Sequence, residues 1–310
     1  MFSTEIGDLF MPSPPLSSKS LRIAVLGCGK IGSTFAFQLA RAGNHVTVIA
    51  RPMSARLQQL RRDNGIVTVT GERADVQIAD VLDEETPYDL IIVTVIDYQA
   101  DAVLPALQRS AAKSIQFMFV SFEPERLRDA VGAERCSFGM PFVQAMIDKD
   151  GKLKPTISKS QKTIMSEQRW VDVFSAAGLP AAHEPDMPLW LRCHVPLCIG
   201  FESVAVAGER RGGGASWGEA KLVARGVKES FALIKGLGYP VYPKSKVRLS
   251  GLPIFILTFM LWMFSRVKSM RELLATGKEE CKALIDRMVE AAPRAKPAIN
   301  VSRIEAIRPA

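Results

Sequence analysis

A chain of 310 residues with 47% hydrophobic and 23% charged residues carries enough apolar material for a sizeable core, which excludes a disordered or fibrous protein. Forty Lys and Arg against 32 Asp and Glu leave a net charge of +8, a balance that suits an anionic ligand. The basic residues are scattered and never gather into a run interleaved with aromatics, so nucleic acid is not an expected partner.

The first twenty residues hold Glu5, Asp8 and the stretch Met11-Pro-Ser-Pro-Pro-Leu-Ser-Ser18. They lack the basic start and apolar core of a signal peptide and read as a tail. Leu21 to Leu26 is a short β-branched run that glycine ends, the pattern of a buried strand. Lys30 to Ala42 sets Ile31, Phe35 and Leu39 at helical spacing before Gly43, and His45 to Ala50 is a second strand. Strand, helix and strand in this order form a βαβ unit with a right-handed crossover.

The alternation continues with a helix over Met53 to Arg62, a turn at Asn64-Gly65 and a strand over Ile66 to Thr70. Tyr88 to Ile96 is the most apolar strand and belongs near a sheet centre. A helix from Tyr98 to Ala112, a strand from Ile115 to Phe122 and a helix opened by Pro124 follow, and Cys136 to Ile157 is extended with a turn at Lys149-Asp-Gly151. Beyond about residue 185 only helical patterns remain: Met187 to Ala207, Ser216 to Leu237, Gly251 to Val267 and Met270 to Ala292. Ser216-Trp-Gly-Glu219 is a capping box. The predicted fold class is α/β: a tail over 1–20, a Rossmann-type doubly wound parallel sheet over 21–180 and an all-helical domain over 181–310 for substrate binding or dimerisation.

Gly27-Cys28-Gly29-Lys30-Ile31-Gly32 is GxGxxG placed between strand and helix, the context in which the motif binds a dinucleotide. The first glycine makes the tight turn, the second admits a pyrophosphate, and the third lets helix pack on strand. The second strand ends Ile49-Ala50-Arg51, where a site for NAD usually carries a carboxylate for the ribose hydroxyl. A guanidinium pairs instead with a 2′-phosphate, so NADP(H) is the expected cofactor. Arg56, Arg61 and Arg62 add charge nearby or line a solvated face.

Cys28, Cys136, Cys193, Cys198 and Cys281 show no paired framework, and Cys193-His194 with Cys198 has no second cluster to complete a zinc site. No metal is expected, and reduced thiols place the chain in the cytoplasm. Ile254 to Phe264 is far short of the roughly 20 residues that a membrane span needs, so no membrane partner is expected. Being apolar on nearly every face, it should be enclosed on all sides, as a core helix, at a homodimer interface, or lining a bulky apolar substrate.

Over roughly residues 21 to 305 the chain resembles the ketopantoate reductase (2-dehydropantoate 2-reductase) family. The likeness rests on Ile23-Ala-Val-Leu-Gly-Cys-Gly-Lys-Ile-Gly-Ser33, on Arg51 and on the strand end Thr94 to Gln99. It extends to Pro188-Leu-Trp-Leu-Arg192, Gly208-Glu-Arg210 and Glu280-Cys-Lys-Ala-Leu-Ile-Asp286. The resemblance implies NADPH-driven hydride transfer to the ketone of a 2-oxo acid in the cleft between domains, with Thr94 facing the cofactor. It also implies a catalytic lysine, an asparagine and a glutamate, whose positions hold Arg192, Ser121 and Glu280 here. Pro196 and Gly200 stand where the family has further asparagines. Arginine, with a pKa above about 12, is a poor proton donor, so the expected substrate is a small-molecule carbonyl other than ketopantoate.

His194, two residues from Arg192, points to a different helix face and reads as a packed histidine. Two other functions stay open: an opine- or hydroxyacid-type dehydrogenase, which would need an imidazole or another base in the cleft, and a catalytically silent NADP-binding sensor.

Overall fold

A computed structural model describes residues 20–309, so the tail expected over 1–20 lies almost wholly outside the described residues. In chain order the first elements are β1 (Arg22–Leu26), α1 (Lys30–Arg41), β2 (His45–Ile49), α2 (Ala55–Asp63), β3 (Ile66–Val67), β4 (Arg73–Ala74), β5 (Gln77–Ala79) and β6 (Leu90–Val93). There follow α3 (Asp97–Ala100), α4 (Leu104–Arg109), β7 (Ile115–Met118), α5 (Pro124–Val131), β8 (Cys136–Met140), β9 (Gln144–Ile147), β10 (Leu153–Thr156), β11 (Thr163–Met165), α6 (Gln168–Ala176) and β12 (Ala181–His183). The helical part comprises α7 (Met187–Arg192), α8 (Val195–Arg210), α9 (Trp217–Gly236), α10 (Lys244–Gly251), α11 (Ile254–Phe264), α12 (Lys268–Leu274), α13 (Lys278–Ala291) and α14 (Val301–Glu305).

Eight strands form one sheet in the order β12-β11-β8-β7-β6-β1-β2-β5, parallel except where β11 meets β8. β1 lies between β2 and β6, so the chain reverses its direction of travel there and opens a crevice at their carboxyl ends. Central strands β1 and β6 are buried on both faces because helices cover the sheet front and back. One apolar core contains Val25, Phe35 and Phe174 on one face; a second contains Ile91, Phe117 and Leu127 on the other. A third core lies among α8, α9, α11 and α13.

Val120 and Phe122 belong to that third core, so the chain beyond β7 leaves the sheet to dock into the helices. The expected strand over Ile115–Phe122 therefore ends at Met118. Prolines explain two other differences. Pro105, in the first turn of α4, cannot continue a helix from α3, and Pro196 likewise separates α8 from α7. The segment expected as one strand over Ile66–Thr70 is instead a two-residue hairpin arm pairing with β4, turned at Gly71.

Of the three enclosures expected for Ile254–Phe264, that of a core helix covered by its own chain is corrected. Leu257, Thr258 and Leu261 are buried against α8 and α9, but Phe255 and Phe259 are 63% and 52% exposed. Apolar composition counts side chains; it does not count the neighbours available to cover them.

Candidate active site

The glycine loop crosses the carboxyl end of β1. Gly27 has φ +102°, and a Cβ there would meet the Thr94 backbone; a Cβ at Gly32 would run into the Gly27 carbonyl oxygen. Thr94, just past β6, locks this contact by donating its hydroxyl to the Gly27 carbonyl at 2.6 Å. Over Gly29 the space is open, with nothing within 4 Å of a Cβ position. No side chain caps α1, so its first amides point into that space as a ready anion site. These features fit a dinucleotide pyrophosphate, which Gly27, Cys28, Gly29, Lys30, Ile31 and Gly32 would hold.

Arg51 follows β2 and is exposed. Arg56 behaves otherwise. It is half-buried and donates to the Cys28 carbonyl at 3.1 Å, the Ser33 hydroxyl at 2.7 Å and the Gly151 carbonyl at 2.9 Å. Arg56 thus braces the glycine loop from behind, and Arg61 is occupied by Asp80 at 3.0 Å. Among the described residues no ion pair occupies Arg51. The Cys28 thiol is buried and pushed up to about 12, so it stays protonated.

The other sequence-chosen residues come from distant parts of the chain. Ser121 follows β7, is 1% exposed, and its hydroxyl has no hydrogen-bond partner among the described residues. Glu280 opens α13, which packs on α3. Burial and the nearby Asp97 carboxylate raise Glu280 to about 7.

Arg192 ends α7 and is 3% exposed. Its guanidinium is held by both Glu125 carboxylate oxygens, at 3.0 and 2.5 Å, and lies 3.8 Å from the centre of the Tyr239 ring. A carboxylate therefore already fills the arginine fork in this state.

The fold also brings in residues that sequence reasoning did not choose. Glu202 on α8 is buried, with Oε2 unpartnered, and burial followed by the neighbouring Glu280 raises it to about 9. It is the single charge in Val195–Gly208, and a lone charge in an apolar helix is a signal the sequence does carry. Lys246 on α10 is 5% exposed, donates to the Trp190 carbonyl at 2.8 Å, and is lowered to about 7 by burial. The ammonium sits 3.5 Å from the centre of the Trp190 ring, which stacks on His194 at 4.5 Å. Burial, then Lys246, hold His194 down to about 3, so its imidazole is neutral. His45 and His183 are exposed.

Ion pairs fasten the helical part to the sheet beside this site. Arg287 on α13 reaches Asp101 at 2.8 Å and Asp97 at 3.7 Å, Arg126 on α5 holds Asp97 at 2.9 Å, and Arg294 pairs with Glu123.

A doubly wound sheet with a glycine cradle at its switch point is an arrangement that binds dinucleotides, and here the helices that follow bring titratable groups towards the strand ends. The sequence model of the family described as ketopantoate reductase PanE/ApbA matches residues 23–168. Solved structures agree at the level of fold. A PanE/ApbA family ketopantoate reductase from Ralstonia eutropha JMP134 superposes with a TM-score of 0.69 at 17% identity, covering 93% of this chain and 96% of that one. A 2-dehydropantoate 2-reductase from Geobacter metallireducens GS-15 gives 0.68 at 18% identity, over 93% and 98% of the two chains. A D-mandelate dehydrogenase with NADH and anilino(oxo)acetate gives 0.66 at 16% identity, over 93% and 96%.

Proposed function

We propose that the protein is an NADPH-dependent reductase of a 2-oxo acid or a related carbonyl other than ketopantoate, working at the junction of sheet and helices. The observation that carries the reading is Glu280, a half-buried carboxyl held to about 7 and brought towards the carboxyl ends of the central strands by the packing of α13 on α3. NADPH, when bound, supplies the hydride for the carbonyl carbon. The chain's own residues then have three tasks. Glu280, which passes between acid and base near neutrality, gives the proton that the carbonyl oxygen needs as it becomes an alcohol. The unpartnered Ser121 hydroxyl donates a hydrogen bond to that oxygen. The Arg192 fork takes the substrate carboxylate in exchange for Glu125.

This assignment moves acid chemistry away from Arg192, whose guanidinium is a fixed charge, to the coupled pair Glu202 and Glu280. Burial, then the neighbouring Glu280 carboxylate, make ionisation of Glu202 costly, so a proton is retained on Glu202. The preference for NADPH rests on the exposed Arg51 and on the absence of a carboxylate at that strand end. Titrating NADPH and NADH against wild type and Arg51→Ala tests it. Wild type should bind NADPH at least about tenfold more tightly, since a charge-assisted phosphate pair contributes roughly 1.5–3 kcal/mol, and Arg51→Ala should remove the difference. Equal affinities in wild type would refute the preference.

A further inference from the structure

The outer face of α11 is left uncovered by the described residues. Phe255, Phe259 and Met263 recur at every fourth residue and are 63%, 52% and 46% exposed, with Met260 beside them. The aromatic face widens across Trp262, which lies 6.1 Å from Phe259 and 6.1 Å from Trp217 of α9. Single exposed apolar side chains are ordinary, but a contiguous face of this kind marks a contact surface.

Charge decides what it contacts. Between Tyr239 and Arg271 the sequence has six basic residues and no acidic one. Four of the basic residues are exposed: Lys244 and Arg248 on α10 at one end of α11, and at the other Arg266 and Lys268, the last with Glu272 at 3.7 Å. The Arg266 guanidinium sits 3.5 Å from the centre of the Trp262 ring, so aromatic and cationic groups share one border. A second copy of the same face is a poor occupant. Any two-fold pairing of α11 on α11 sets a basic end against a basic end, which costs rather than gains. A surface that is apolar below and anionic above satisfies both properties together.

We propose that the α10–α11 face docks on the surface of an anionic lipid bilayer, with Phe255, Phe259 and Met263 entering the headgroup–acyl boundary and the four exposed basic residues meeting the lipid phosphates. The helix lies on the membrane and does not cross it: α11 has 11 residues, and α10 bends from it by 109°. This replaces the expectation of no membrane partner, which concerned spanning segments. The inference stands apart from the reductase reading and does not depend on any substrate.

The test is co-sedimentation of the full-length protein with vesicles of phosphatidylcholine alone or with phosphatidylglycerol. Binding to the anionic vesicles should be about tenfold or more tighter than to neutral ones and should fall in high salt. Phe255→Ser/Phe259→Ser/Met263→Ser and Lys244→Glu/Arg248→Glu should each lose about tenfold or more, with unchanged thermal melting because the replaced side chains are exposed. Binding that is absent, equal for the two vesicle types or untouched by both variants would overturn the proposal. So would a dimer in light scattering that the triple serine variant converts to monomer, because it would place a second copy on this face.

Discussion

The sheet and the helical part reach the site by different routes. On the sheet side the ligand-facing features lie within one stretch of chain: the glycine loop, the uncapped start of α1 and Arg51 span 25 residues and need only β1 and β2 to be placed. On the helical side nothing is local. Arg192 meets Glu125 across 67 positions, Glu280 is raised by burial and then by Asp97 from another element, and Glu202 is raised by burial and then by Glu280. The first region is specified by backbone geometry, so its chemistry is fixed before a ligand arrives. The second is specified by side-chain charge in a low-dielectric setting, so its chemistry depends on protonation and on which partner fills each site.

That contrast can be broken most forcefully at Arg192. If the fork binds substrate, Arg192→Ala should lower turnover of the best substrate by about 10²–10³, as loss of one stabilising donor does, while NADPH affinity stays unchanged. Glu125→Gln should act in the opposite direction and lower KM a few-fold, because the neutral amide competes less well for the guanidinium. A KM that rises in Glu125→Gln would show that this ion pair organises the site instead of competing for it.

The sheet side predicts a split between two glycines. Gly32→Ala should lose about 1–3 kcal/mol or fail to fold, since its Cβ meets fixed backbone. Gly29→Ala should melt like wild type, because its Cβ meets nothing, yet bind NADPH more weakly by obstructing the phosphates. Equal loss of stability in both variants would remove the distinction between a packing glycine and a binding glycine.

The helical side also predicts a pH dependence of stability. Glu202 is raised in the folded chain from an ordinary carboxyl value to about 9, so the folded state holds a proton that the unfolded state has released. Its stabilising protonation is fully present below the unfolded value of about 4.5 and is lost as pH rises towards 9. Lys246, lowered to about 7, acts oppositely: its penalty is greatest at low pH and fades as pH rises from 7 to its ordinary value near 10.5. The two are separable by difference. Glu202→Gln should melt higher relative to wild type at pH 8 than at pH 5, and a constant difference would mean that Glu202 is not protonated in the fold.

How much of this was legible in sequence follows the same divide. β1, α1 and β2 are recognisable because their hydrophobic period and closing glycines are local. α10 was not foreseen, for Lys244–Gly251 has three charges, two serines and a glycine, and it is placed by the Lys246–Trp190 contact. The sequence identifies Arg192 and Glu280 as residues of interest, but burial beside Glu125 and Asp97 is a property of the assembled chain. The exposed face of α11 has the same origin: an apolar run states what a segment avoids, and only its neighbours, within the chain or outside it, decide what covers it.

The most direct test of the central claim is steady-state oxidation of NADPH and NADH by the purified protein across a panel of 2-oxo acids, aldehydes and imines. NADPH should be consumed with at least one 2-oxo acid or related carbonyl, faster than NADH and faster than with ketopantoate, and Arg192→Ala should lower that turnover by about 10²–10³. Firm NADPH binding with no turnover of any member, or efficient ketopantoate reduction by wild type, would contradict the account.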